Sequence, residues 1–235
     1  MPRPYRTSGW SRRMNYVFDW GIITANWQNF LRAALITYYV ALWSMLLALV
    51  LGLVLALLRN SKSRLVQAPA HIYVGFFRSL PLNVFLLWLY YGFKVAFGLN
   101  LQAIEAAVLA LGLISAAYMA EIYRSGLVAV DRGQYEAARS LGLTTGQLYR
   151  KVVLPQVLRT VLPAGMNQFV GILKGATIVG IIGVFDLMYF ARTSAARTFK
   201  PFEFYSMAGV IFILSTLVFA ALAGRMESSY RWRRS

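Results

Sequence analysis

Cysteine is absent from all 235 residues, and histidine occurs once, as His71. Without a thiol there is no disulfide framework and no thiolate metal site, and a lone imidazole leaves no His pair for a metal. Acid is scarce as well, with 8 Asp and Glu against 24 Lys and Arg. These carboxylates are scattered singly, so no pair offers acid–base chemistry, and no reaction is assigned to the chain. A phosphate-binding loop of the form G-x-x-x-x-G-K-[ST] is also missing; the stretch KGAT at 174–177 has those residue types in the wrong order, inside an apolar run. What is abundant is apolar surface and positive charge. Hydrophobic residues make up 59%, aromatics 15%, mean hydropathy is +0.57, and the formal net charge is +16. A nucleic-acid binder would be basic too, but would not spend long uncharged runs on apolar side chains. The combination points to an all-α membrane protein whose loops carry the bases.

The run 33–58 holds no charge over 26 residues, and at about 1.5 Å per residue it exceeds a hydrocarbon core of about 30 Å. It is too long for a signal-peptide core. Four further crossings are expected, giving five at roughly 33–58, 76–97, 103–123, 161–185 and 204–224. The second is the least regular, an uncharged core between Arg78 and Lys94. Residues 1–30, aromatic and mixed, form an expected interfacial segment with a possible start at Met14, and 227–235 form a basic tail.

An odd number of crossings puts the termini on opposite sides. With the C-terminus cytoplasmic, that side carries 13 Lys and Arg against 9 outside, and a start at Met14 lowers the outer count to 5. The positive-inside rule therefore favours an external N-terminus and a cytoplasmic C-terminus.

The polar passage 131–155, DRGQYEAARSLGLTTGQLYRKVVLP, is more ordered than a connection needs to be. Asp131 and Thr144 stand at N-cap positions with Gln134 and Gln147 three residues on, which predicts two short helices. Gly142 suits a left-handed closure of the first, and Pro155 is expected to stop the second. Ala137, Ala138, Leu141, Leu148 and Val152 share one side, opposite Glu136, Arg139, Arg150 and Lys151.

The spacing E-A-A, three residues, Gly, nine residues, V-x-L-P resembles the EAA signature of permease subunits in type I ABC importers. FFRSLPL at 76–82, SAAYMAEIYRSGL at 115–127, NQF at 167–169 and GVFDL at 183–187 are similar to the polar amino acid branch of that family. The resemblance implies that Glu136, Ala137, Ala138, Gly142, Leu154 and Pro155 belong to a coupling element seated on a cytoplasmic ATP-binding subunit. Val152 stands where the family usually has isoleucine. The implied partners are an ATPase dimer that carries the ATP and Mg, an external solute-binding protein and a second permease subunit, identical or sister. No cofactor is expected on this chain itself, membrane lipid surrounds it, and nucleic acid is no partner. The implied setting is a bacterial cytoplasmic membrane, and the implied cargo a polar amino acid or related small zwitterion.

Arg78 and Lys174 fall at membrane depth, where an ionisable side chain carries a penalty of at least about 2.5–3.5 kcal/mol. Either attracts a substrate carboxylate, or Arg78 snorkels beside Leu80-Pro81 and Lys174 pairs with a carbonyl or an acid. Asn83, Tyr118, Asn167 and Gln168 are further candidates for a substrate pathway, each equally able to bond between helices. The family commonly has Lys-Asp-Thr-Ser where this chain has Lys174-Gly175-Ala176-Thr177, which weakens the carry-over at Lys174. Glu121 and Arg124, three apart, form an expected intrahelical ion pair. The alternatives are an ion-gradient transporter or channel, for which inverted repeats and paired intramembrane acids would be expected, and a non-transporting scaffold.

Overall fold

The computed structural model describes residues 16–231, with side chains through 225, so Met14 and the last residues of the basic tail lie outside the described residues. After a short helix α1 (Gly21–Ala25) comes α2 (Trp27–Arg59), a 33-residue helix that begins before the uncharged run and uses all of it. Two shorter helices, α3 (Arg64–Ser79) and α4 (Leu82–Leu87), follow, the latter running through a π turn at 88–92 into α5 (Phe93–Phe97). Then come α6 (Ala103–Val128), α7 (Arg132–Ser140), α8 (Thr145–Leu148) and α9 (Leu154–Gly175), closed by a 3₁₀ segment at 176–182. A short helix α10 (Leu187–Thr198) precedes the final α11 (Pro201–Arg231). Four helical stretches are long and apolar enough to cross a membrane, and five if the bent pair 64–79 and 82–97 counts as one span.

That pair corrects the expected second crossing. Residues 76–97 are not one helix: the chain turns by 104° at Leu80-Pro81. Proline disfavours the α conformation in the residue before it, and Leu80 is extended at φ −79°, ψ 129°. Beyond the turn, Phe85, Leu86 and Leu89 pack with Ala106, Ala107, Ala110 and Leu111 of α6.

The centre of the bundle is the parallel pair α2 and α6. Its register is visible in successive contacts, Ser44 with the carbonyl of Val108 at 3.3 Å and Arg59 with Glu121 at 2.8 Å. Small residues allow the approach. A Cβ on Gly52 would lie 2.6 Å from that of Met119 and 3.0 Å from the carbonyl oxygen of Ala116. Ala41, Ala48, Ala116, Ala117 and Ala120 are buried along the same seam. Close backbone packing of this kind drives helix association where lipid tails remove the hydrophobic contrast. By contrast only 11% of the most apolar window of α11 is buried, which leaves that helix facing lipid or another chain.

Candidate functional site

The passage after α6 has the local structure its caps dictate. Asp131 accepts from the backbone amide of Gly133 at 2.7 Å at the start of α7. Gly142 closes that helix in the left-handed region at φ +71°. Thr144 and Gln147 form a reciprocal capping box at the start of α8, with distances of 3.1 and 3.3 Å. Pro155 corrects an expectation. It does not end the second helix, because a π turn at 149–153 lies just ahead of it and the chain passes into α9 without a break, so that 145–182 is one long helical stretch. Widening the turn accommodates the ring and the missing N–H that would otherwise break the ladder.

The apolar face of the passage is divided rather than continuous. Ala138 and Leu148 are buried with Val130, Val153, Val157 and Val161, which ties the passage to its own bundle. Ala137 and Glu136 stay exposed, and Leu141 is 79% exposed next to Gly142. A Cβ on Gly142 or Gly146 would meet nothing within 4 Å. Leu154 and Pro155 are exposed as well. The result is a partly apolar projection tied to the bundle through Ala138 and Leu148.

The residues considered for a pathway separate into two groups. Arg78 and Tyr118 come together, the guanidinium carbon lying 5.4 Å from the ring centroid on α6. Arg78 is half exposed and its Nη1 lies 3.5 Å from Glu121. The expected pair of Glu121 with Arg124 is present at 2.9 Å, but Arg59 also donates to the same carboxylate at 2.8 Å. Three helices are thereby tied to one acid, and Arg59, a nearly buried member of the cluster, lay outside the sequence expectations.

The second group lies on α9. Asn167, Gly171 and Lys174 are exposed and, at intervals of four and three residues, share one helical face, while Gln168 beside them is half buried. Lys174 opens on a groove of about 500 Å³ shared with Thr177 and, from α11, Phe212, Ile213, Thr216 and Leu217. Among the described residues Lys174 takes no part in an ion pair. The adjacent Gly175 lies against the bend: a Cβ there would sit 2.9 Å from Leu111 and 3.2 Å from Leu82. Asn83, the next residue along α4, is exposed.

At the other end of the bundle Asp186, fully buried, caps α10 by accepting from the amides of Met188 at 3.1 Å and Tyr189 at 3.0 Å. Burial pushes its carboxyl up to about 6 against the pull of those amides and of Arg192. Glu203, also buried, accepts from the Tyr16 hydroxyl and from the Asp19 amide. Lys200 donates to the Val17 carbonyl, and Phe18 and Trp20 pack edge-on against Phe202. Residues 16–20 are thereby strapped to the start of α11; neither their aromatic composition nor Glu203 alone signalled this contact.

Residues 48–232 match the family described as the binding-protein-dependent transport system inner membrane component. The chain is 34% identical over 211 residues to the probable amino-acid permease protein YxeN of Bacillus subtilis (strain 168), covering 89% of this chain and 94% of that one. It is 35% identical over 192 residues to the arginine transport system permease protein ArtQ of the same organism, covering 82% and 88%. Among solved structures, a chain of an amino acid ABC transporter with histidines superposes with a TM-score of 0.84 at 35% identity, over 91% of this chain and all of that one. The MetNI methionine ABC transporter, at 20% identity and a TM-score of 0.66 over 89% of this chain and 96% of that one, shares the fold. An all-helical bundle with four or five spanning stretches, an EAA passage in ordered form and these matches have one reading: the chain belongs to the binding-protein-dependent transport system inner membrane components, the multi-pass permease subunits of ABC importers.

Proposed function

We propose that this subunit forms half of an ATP-driven import pathway for a polar amino acid or related small zwitterion, and that 131–155 is its coupling element. The observation that carries this is the mechanical continuity of the passage. Ala137, Leu141 and Gly142 stand open to an incoming surface, while α8 passes through the π turn into α9 as one helical stretch. A push on the projection displaces a spanning helix directly. The open face of α9 with Asn167 and Lys174 faces the pathway, and the Lys174 ammonium attracts the substrate carboxylate there.

The motor in this reading is a cytoplasmic ATPase dimer, which holds the ATP and Mg. Its closure moves two coupling elements, one from each permease subunit, and rocks the spans between outward- and inward-open states. A solute-binding protein delivers the cargo on the other side, where the strapped N-terminal segment lies. The C-terminus is cytoplasmic, in line with the charge distribution.

A single cysteine at Ala137 tests the contact, because the chain has none of its own. On co-expression with the cognate ATPase, a short bifunctional reagent is expected to join Ala137→Cys to that subunit and to leave a control cysteine at Val95, on α5, unjoined. Equal cross-linking at both positions overturns the assignment.

A further inference from the structure

Beside the coupling passage a groove of about 560 Å³ separates the ends of α2 and α6 from α8 and α9. Its walls are almost wholly apolar: Leu57 from α2, Leu127 from α6, and Val157, Leu158 and Val161 from α9. Leu57 and Leu158 are 60% and 41% exposed, so the groove is open laterally. One cation, Arg150, lines it at the loop end, with Lys151 next in sequence.

We infer that this groove takes one acyl chain of an anionic phospholipid, whose phosphate is held at its mouth by Arg150. Length is the first argument. Arg150 to Val161 is 11 residues along a helix, or about 17 Å, roughly half of a hydrocarbon core of about 30 Å. The groove thus has the depth of one leaflet. Polarity is the second, since an apolar channel with a cation only at its shallow end matches a lipid tail and anionic head. A soluble ATPase reaches Gly146 and Arg150 but not Val161, which is two to three turns into the span. Because Arg150 also belongs to the π turn that joins α8 to α9, lipid held there lies against the continuous helical stretch through which the coupling passage would act. The inference rests on the membrane placement of 145–182 and on the proposed cytoplasmic side, but not on the motor; lipid retention is measured without the ATPase.

The test is native mass spectrometry of the full chain purified in mild detergent and supplied with equal amounts of phosphatidylglycerol and phosphatidylcholine. Phosphatidylglycerol is expected to be retained about fivefold over phosphatidylcholine, the ratio that one juxtamembrane cation provides. Arg150→Gln is expected to abolish that preference. Leu158→Trp, which fills the groove, is expected to remove the tightly held lipid altogether. Gly146→Phe supplies a second block at a position where a Cβ meets no neighbour within 4 Å, in case the first variant does not fold. Unchanged retention in a folded, groove-filled variant overturns the inference. So does a loss of dimer or of ATPase co-purification from Leu158→Trp, which lies outside the coupling passage, with lipid retention intact; that result would give the groove to a second copy or to the motor.

Discussion

Arg59 at the last turn of α2 donates to Glu121 of α6 at 2.8 Å, and the same carboxylate holds Arg78 and Arg124. The Arg59 side chain is only 10% exposed, and its Nε is buried without a partner. Breaking such a pair from one side strands a charge, whereas replacing both members by apolar groups does not. Glu121→Gln is therefore expected to lower stability in detergent by roughly 2–3 kcal/mol, somewhat below the value for a fully buried pair. The double variant Arg59→Met with Glu121→Met is expected to recover most of that loss. Thermal unfolding of the three proteins checks it; a double variant worse than the single one would mean that the pair is itself strongly stabilising.

Burial of Asp186 predicts a pH dependence whose sign follows from its raised carboxyl pKa. Its folded value of about 6 lies above the ordinary 3.8, so between those values the folded state binds the extra proton. Its contribution to stability is complete below pH 4 and is lost as pH rises through 6, by an amount on the order of 3 kcal/mol at most. Asp186→Asn keeps one cap acceptor and removes the titration. The stability difference between wild type and this variant is expected to change in favour of the variant from pH 4.5 to 7.5. Parallel pH curves for the two proteins would contradict the assignment.

Gly142 separates backbone strain from lost contact. At φ +71° a side chain costs about 1 kcal/mol, least for asparagine, and within the chain nothing obstructs a Cβ. Gly142→Asn is expected to fold and to support most of the uptake. Gly142→Trp is expected to reach the membrane in normal amount yet lose ATPase association and uptake together, since its bulk projects outward. Normal uptake by the tryptophan variant would remove the coupling role.

The strap predicts a local effect only. Glu203→Ala deletes the acceptor for Tyr16 and for the Asp19 amide. Hydrogen exchange at residues 16–20 is expected to accelerate at least tenfold, a loss of about 1.4 kcal/mol or more of local protection, with exchange in α2 and α6 unchanged. Slow exchange persisting in the variant would show that the aromatic contacts with Phe202 suffice.

The features legible in the sequence were the local ones. The capping box of Thr144 and Gln147 and the left-handed Gly142 follow from hydrogen bonds and sterics within a few residues, and uncharged length alone revealed α2 and α11. Pro155 misled because a proline's effect depends on the turn ahead of it, and a π turn has no residue signature of its own. Pro81 disfavours helix in Leu80 before it, but the 104° angle of the bend depends on what α4 packs against. Arg59 looked like one more loop base, since its acid partner is 62 positions away. Likewise the division of the passage into Ala138 and Leu148 facing inward and Ala137 and Leu141 outward needs the position of α9, which no helical projection supplies.

The central claim is that this chain moves solute only when a nucleotide-driven partner acts on 131–155. The direct measurement is accumulation of labelled polar amino acids in proteoliposomes containing the chain and a solute-binding protein, with and without the cognate ATPase and Mg-ATP. Concentrative uptake is predicted only with the ATPase and ATP both present, and to be abolished in Gly142→Trp. Concentrative uptake by vesicles lacking the ATPase would contradict the account.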